Sequence, residues 1–233
     1  MPTDTPALAS HTWVVVGAAL AFVLLLTILW MAPDAVSALI QIFERRRPLG
    51  PRERARVALA AHHARTCGMS DADLAGLPPR KRQGIWNTLR DDWGIRGIRG
   101  RKQVLSRQAL DWLRDVGHRS DSRFAPPSGS DSDARRRALF ALDYSRLVFL
   151  SRLCFFAGYI DEQAAWQYIH AAARGLSSVF DSWAAYGDAL LMAREHATGK
   201  ADAELTRTIR ALLGEKDSPW ASYLWNAATD PWR

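Results

Sequence analysis

ALFALDYSRLVFLSRLCFFA, residues 138–157, decides the fold. Leu139, Phe140, Leu142, Leu147, Val148, Phe149, Leu150, Leu153, Phe155 and Phe156 make it apolar almost all round, with Asp143, Arg146 and Arg152 as its charged interruptions. Its longest charge-free stretch, 153–160, has eight residues, well short of the roughly 20 that a bilayer-spanning helix needs. The pattern predicts a central helix packed on several sides rather than a membrane span.

Working toward the C-terminus, Gly158 ends this helix, and Asp161 is placed to cap the next, which runs to about Arg174. Phe180, Trp183, Gly187, Leu190, Leu191 and Arg194 then recur at helical spacing, and Gly187 allows a neighbour to approach closely. Gly199 and Gly214 bracket a helix over 201–213. The tail, with Trp220, Leu224, Trp225 and Trp232, is expected to clasp the helical core.

Toward the N-terminus, residues 120–133 hold 11 Ser, Asp, Pro or Gly in 14 positions, which predicts a flexible loop over 119–134. Residues 52–118 read as a basic helical block. A helix is expected from Glu53 to Cys67, stopped by Gly68. A second contains Ile85, Trp86 and Leu89, and a third runs over 106–116 with Gly117 as its stop. No alternating strand pattern or repeat is visible. The fold class is all-α, with 52–118 and 135–233 expected to form one domain.

Residues 13–32 differ in kind. Trp13 to Ala32 carries no charge, and at about 1.5 Å per residue a helix of this length matches the hydrocarbon core. Trp13 and Trp30 lie near its ends, where indole rings favour the interface. A short tail, 1–12, precedes it. Arg45, Arg46, Arg47 and Arg52 follow it, whereas no Lys or Arg precedes it. This bias orients a single-pass helix with its N-terminus outside and the C-terminal domain in the cytoplasm. The competing reading is a cleaved signal peptide with Val36-Ser37-Ala38 at the cleavage site; a basic leading region is missing, and the apolar run is too long. In the juxtamembrane segment, 33–51, Val36, Leu39, Ile40 and Phe43 form an amphipathic stripe, and Arg45, Arg46 and Arg47 are lipid-facing candidates.

The net charge of +7 is unevenly placed: −3 over residues 1–44, +12 over 45–137 and −2 over 138–233. A basic block beside a membrane segment points to an anionic partner, lipid or nucleic acid, or to a solvated arginine-rich surface. Two cysteines, Cys67 and Cys154, exclude a disulfide scaffold and cannot alone bind zinc.

Asp92-Trp93-Gly94-Ile95, Trp112-Leu113 with Gly117-His118-Arg119, Asp143-Tyr144-Ser145-Arg146, Gly158-Tyr159-Ile160 with Trp166, and Ser182-Trp183 occur in this order. Together they resemble a bacterial family, domain of unknown function 1266, over about residues 86–225. Leu142 departs from the family pattern, which favours Trp before the Asp. The resemblance implies a helical bacterial domain, and hence an inner-membrane location for the anchored chain. It brings no substrate, cofactor or catalytic residue.

Sites must therefore be sought in the chemistry. Asp143 and Arg146, at i and i+3, are expected to form a charge-assisted pair. Arg152, about opposite Asp143, needs another partner because buried charge is tolerated only when matched. The three read either as polar ties in the packing or as an anion-binding or general-base cluster. Gly94, Gly97 and Gly100 alternate with Arg96, Arg99, Arg101 and Lys102 in a candidate anion-binding loop; a plain exposed connection is the simpler account. His62 and His63 are adjacent and should diverge by about 100° on a helix, while His118, His170 and His196 are far apart in sequence. No metal spacing, nucleophile elbow or phosphate-binding fingerprint occurs, so no metal, cofactor or catalytic residue is assigned. Three readings remain: an anchored module binding a protein partner or serving regulation, a nucleic-acid or anion binder through 52–107, and an enzyme on an anionic substrate using Asp143, Arg146 and Arg152.

Overall fold

The computed structural model describes residues 47–95, 111, 113 and 131–229. Internal contacts divide the chain into Met1–Glu44 and Arg45–Arg233, and every described residue lies in the second unit. Its helices are α1 (Pro51–Val57), α2 (Ala61–Cys67), α3 (Arg82–Asp91), α4 (Asp131–Ala157), α5 (Glu162–Ser177), α6 (Trp183–Thr198), α7 (Ala203–Gly214), α8 (Pro219–Ser222) and α9 (Trp225–Thr229). Short 3₁₀ turns cover Ala58–Ala60 and Pro79–Lys81. Among the described residues there is no strand, only an isolated bridge between Pro48 and Asp73. The all-α expectation holds.

The central helix is α4, which packs mainly against α5 and α6. From Leu147 to Ala157 every residue is buried, so the helix is covered on all sides there. Fully burying a Leu, Val or Phe side chain contributes about 1.5–3 kcal/mol each, which makes this segment the core's largest apolar contribution. No helix among the described residues is long and apolar enough to cross a membrane; the expected span over 13–32 lies outside them. Two glycines set the packing distances. A Cβ on Gly175 would lie 2.7 Å from Cζ of Tyr144, and one on Gly187 would lie 2.9 Å from Cγ2 of Ile209 and 3.3 Å from the Trp220 ring.

Three expectations need correction. The loop expected over 119–134 ends earlier, because α4 begins at Asp131. Its polar opening has a helical role: the Asp133 carboxylate pairs with Arg136 one turn on, and carboxylates favour the positive end of the helix dipole. Composition alone cannot separate such an acidic first turn from a linker. Next, the single helix expected from Glu53 to Cys67 breaks into α1 and α2 at Ala58–Ala60, where Ala60 leaves helical geometry (φ −108°, ψ 20°). Trp220 donates its indole N–H to the Ala58 carbonyl at 2.8 Å, and Tyr186 donates its hydroxyl to the Leu59 carbonyl at 2.7 Å. Both donors arrive from distant sequence, so the break is a tertiary event. Finally, α5 extends three residues beyond Arg174, to Ser177.

Local chemistry explains the remaining ends. Pro51 opens α1, and the Glu53 carboxylate accepts from the Gly50 N–H at 2.9 Å. Gly68 closes α2 in the left-handed region. Asp161, Ser182, Asp202 and Ser218 each accept a backbone N–H at the start of α5, α6, α7 and α8. The expected aromatic clasp forms through Trp220 and Trp225, whereas Leu224 is exposed and Trp232 lies outside the described residues. Trp183 stacks on Trp220 at 5.1 Å and meets Trp225 edge-on at 4.9 Å, while Trp183 donates to the Tyr223 carbonyl and Trp225 to that of Phe180.

Candidate functional site

Among the described residues Arg152 is the largest fully buried polar side chain, and its hydrogen bonds go to main-chain carbonyls rather than to a carboxylate. Its Nε donates to the Leu74 carbonyl at 3.0 Å, and Nη2 donates to the carbonyls of Asp73 at 3.2 Å and Ser70. Burial lowers its pKa to about 10, against the opposing fields of Asp73 and Asp71, and it remains charged at neutral pH. The loop over 70–76 wraps the guanidinium. Gly76 (φ 64°) is essential to that wrap, because a Cβ there would collide with Arg152 Nη2 and lie 2.5 Å from the Ser70 carbonyl. Arg152 thus has the partner that the sequence demanded, and it is a structural tie.

Asp143 and Arg146 stand apart from it. Their ion pair is long, 3.9 Å from Oδ1 to Nη1, and the Arg146 side chain is 39% exposed. The expected close pair in a buried helix is therefore a loose one at the edge of the core, because this turn of α4 faces a cavity rather than another helix. The structure does not bring Asp143, Arg146 and Arg152 together as one cluster.

That cavity measures about 300 Å³. His62, His63 and Thr66 of α2 line one wall, and Leu142 and Arg146 of α4 another. Leu190 and Arg194 of α6 and the start of α7, with Asp202, Glu204, Leu205 and Thr208, complete it. Adjacent His62 and His63 do not diverge as expected: their ring centroids lie 4.1 Å apart, and His63 stacks on Phe149 at 4.9 Å. The 100° separation applies at Cβ, and side-chain torsion brings both rings back to the same groove. Burial, reinforced by the Arg146 charge, holds both imidazoles toward the neutral form, His63 down to about 4 and His62 well below its ordinary value. The His62 Nδ1 is buried without a hydrogen-bond partner among the described residues. Ser145 Oγ lies 2.9 Å from the Leu142 carbonyl, to which it donates, and 3.4 Å from His63 Nε2, the donor in that contact being set by the imidazole tautomer.

The other sequence candidates scatter. Arg47 is held by Glu53 at 2.6 Å and Glu162 at 3.0 Å, and this pairing keeps the Glu53 carboxyl below its usual range. Arg45 and Arg46, the loop cations Arg96, Arg99, Arg101 and Lys102, and His118 lie outside the described residues, as does the helix expected over 106–116 apart from helical Asp111 and Leu113. His170 accepts from Arg56 at 3.2 Å, far from the two-histidine groove in sequence, and burial with the Arg56 charge lowers its pKa. Burial pushes the Cys154 thiol up to about 12, which suits a structural thiol. Among the described residues no three of His, Cys, Asp and Glu converge on a metal-binding geometry.

Residues 126–225 match the family described as Protein of unknown function (DUF1266). The match covers 100 of the 233 residues and shows a likeness to that family over this segment. No curated protein and no solved structure matches the chain. The match begins at Pro126, so Asp92-Trp93-Gly94-Ile95 and Gly117-His118-Arg119 fall outside it, while Asp143 to Arg146, Gly158 to Ile160 and Ser182-Trp183 fall inside. The matched segment contains all of α4, α5, α6, α7 and α8, and therefore the cavity walls bearing Arg146, Arg194 and Asp202. The histidine wall on α2 precedes it.

Sequence reasoning missed the cavity because its basic groups come from three helices. Arg194 was visible only as one position of a helical stripe. The available signal was two adjacent histidines within an alanine-rich apolar helix, where their burial was to be expected.

Proposed function

We propose that this chain is a membrane-anchored helical module, single-pass with its N-terminus outside, whose domain serves a protein-interaction or regulatory role on the cytoplasmic face of a bacterial inner membrane. The observation that carries the reading is the uncharged run from Trp13 to Ala32, followed and not preceded by arginines. Anchoring confines the domain to two dimensions and raises its effective concentration toward membrane partners. The packing supports a role other than catalysis by the Asp143, Arg146 and Arg152 group, since Arg152 is enclosed by carbonyls. Nucleic-acid binding through 52–107 ranks behind it. Arg54, Arg56, Arg65 and Arg90 of that block already bond to Leu49, His170, Glu215 and Asp91, leaving fewer cations for phosphates.

Fractionation of cells producing the tagged full chain tests the anchor. The chain should pellet with membranes, resist alkaline carbonate and be released by detergent, and protease added outside spheroplasts should spare the domain. Recovery in the supernatant without detergent would overturn the anchor. Cross-linking in intact membranes should yield a reproducible heteromeric adduct; its absence under several chemistries would remove the interaction role.

A further inference from the structure

The cavity between α2, α4, α6 and α7 contains more hydrogen-bonding capacity than the protein uses. Arg146 carries five N–H donors, makes no hydrogen bond among the described residues, and meets Asp143 only at 3.9 Å. His62 Nδ1 is likewise without a partner, although the His62 residue is only 4% exposed. The His63 contact to Ser145 is long, at 3.4 Å. Arg194 uses its Nε on Asp202 at 3.0 Å, and its side chain remains 47% exposed. Arg194 lies close enough to disfavour the Arg146 charge, and the two guanidinium groups share a cavity with two neutral imidazoles. A buried polar group without a partner is costly, and a guanidinium fork matches the paired oxygens of a carboxylate or phosphate.

We propose that this cavity is a binding site for a small oxyanion, a carboxylate or a phosphate, with Arg146 as its main contact and His62, His63 and Arg194 completing the site. The volume of about 300 Å³ suits a small metabolite. The acidic groups of the lining are placed away from the Arg146 donors. Asp202 is turned to the Glu204 and Leu205 N–H groups and to Arg194, whereas Glu204 is exposed at the α7 side of the cavity. A ligand with an anionic head and a hydroxyl or ammonium group on its body would meet both ends.

Anion and proton should bind together. Burial and the nearby arginine charge hold the two imidazoles neutral, and a bound anion offsets the arginine charge and favours the imidazolium form. The charged groups facing the pair are Arg146 with Asp143 on α4, Arg194 on α6, and Asp202 and Glu204 on α7. Affinity should therefore rise as pH falls from neutrality. This inference does not depend on the anchor or on any protein partner.

The test is a histidine-ring NMR titration of the full chain, in detergent if it requires it, with inorganic phosphate and separately with malonate, against chloride at matched ionic strength. Saturable shifts of the His62 and His63 resonances are expected with one or both probes and not with chloride. Which probe saturates decides between phosphate and carboxylate. Arg146→Gln should weaken binding by about tenfold or more, the loss of one charge-assisted contact, while Arg135→Gln, exposed near the start of α4, should leave it unchanged. Should Arg146→Gln fail to fold by circular dichroism, Arg146→Lys and His63→Gln are the alternative variants, each expected to weaken binding. Shifts that stay linear, that chloride reproduces, or that survive these substitutions would overturn the site.

Discussion

Replacing Arg152 with Met tests whether the buried guanidinium holds the fold through main-chain carbonyls. Met fills nearly the same space without donors, so cavity formation is kept small and the hydrogen bonds are isolated. Three carbonyls lose their partner: Leu74, from a residue 3% exposed, and those of Asp73 and Ser70, which lie nearer solvent. An acceptor left buried costs about 1–3 kcal/mol. Taking about 2 for Leu74 and about 1 for each of the others gives a loss of roughly 4 kcal/mol, a large part of the 5–15 kcal/mol typical of a domain. Arg152→Lys retains the charge and one or two contacts and should lose about half as much. Urea unfolding followed by tryptophan fluorescence reads both, because Trp183, Trp220 and Trp225 report on the clasp. The loop over 70–76 should also become sensitive to limited proteolysis. If Arg152→Met unfolds within about 1 kcal/mol of the parent, the carbonyls have found water or other donors, and the structural role assigned to Arg152 is wrong.

Tyr186→Phe removes the 2.7 Å bond to the Leu59 carbonyl in a fully buried setting and should destabilise by about 1–2 kcal/mol in the same assay; an unchanged midpoint would refute that role for the break between α1 and α2. Gly187→Val places a Cβ within 2.9 Å of Ile209 and 3.3 Å of Trp220, so overpacking should cost about 1–3 kcal/mol, and an increase in stability would show that α6 and α7 can separate freely. The folded-state pKa of His63 is depressed to about 4, below the ordinary value of about 6.5 for the unfolded chain, so its contribution is complete above pH 6.5 and is lost as pH falls toward 4. His62 acts in the same direction, and His63→Gln should flatten the slope of stability against pH over that window; an unaltered slope would show that the ring is not buried in its neutral form.

The local sequence pattern made much of this fold legible. Continuous apolar character marked α4 as central, Asp161 and Gly199 marked helix ends, and Gly187 marked a close approach now seen against Ile209 and Trp220. These signals are local, or depend only on one residue's size and torsion range. The break at Ala58–Ala60 was not legible, since alanine favours helix and the donors come from residues 186 and 220. Arg152 was legible as a problem and not as a solution. Its burial called for a partner, and a search limited to side chains overlooks backbone carbonyls in a loop some 80 residues earlier. The first turn of α4 was misread for the opposite reason, because Asp and Ser serve loops and helix starts equally.

The cavity presents the harder case, since its chemistry is divided across the boundary of the DUF1266 match. Arg146 and Arg194 lie within residues 126–225, whereas His62 and His63 come from α2, which packs against α7 from outside that span. Guanidinium charge supplies attraction that salt screens, while neutral imidazoles held in a buried wall supply geometry and a link to pH. The two contributions separate by variant: Arg146→Gln should reduce oxyanion affinity at every pH, and His63→Gln should reduce it mainly where the parent takes up a proton. Equal losses at all pH values for both would mean that the histidines only shape the cavity and that the matched segment alone carries its charge selectivity.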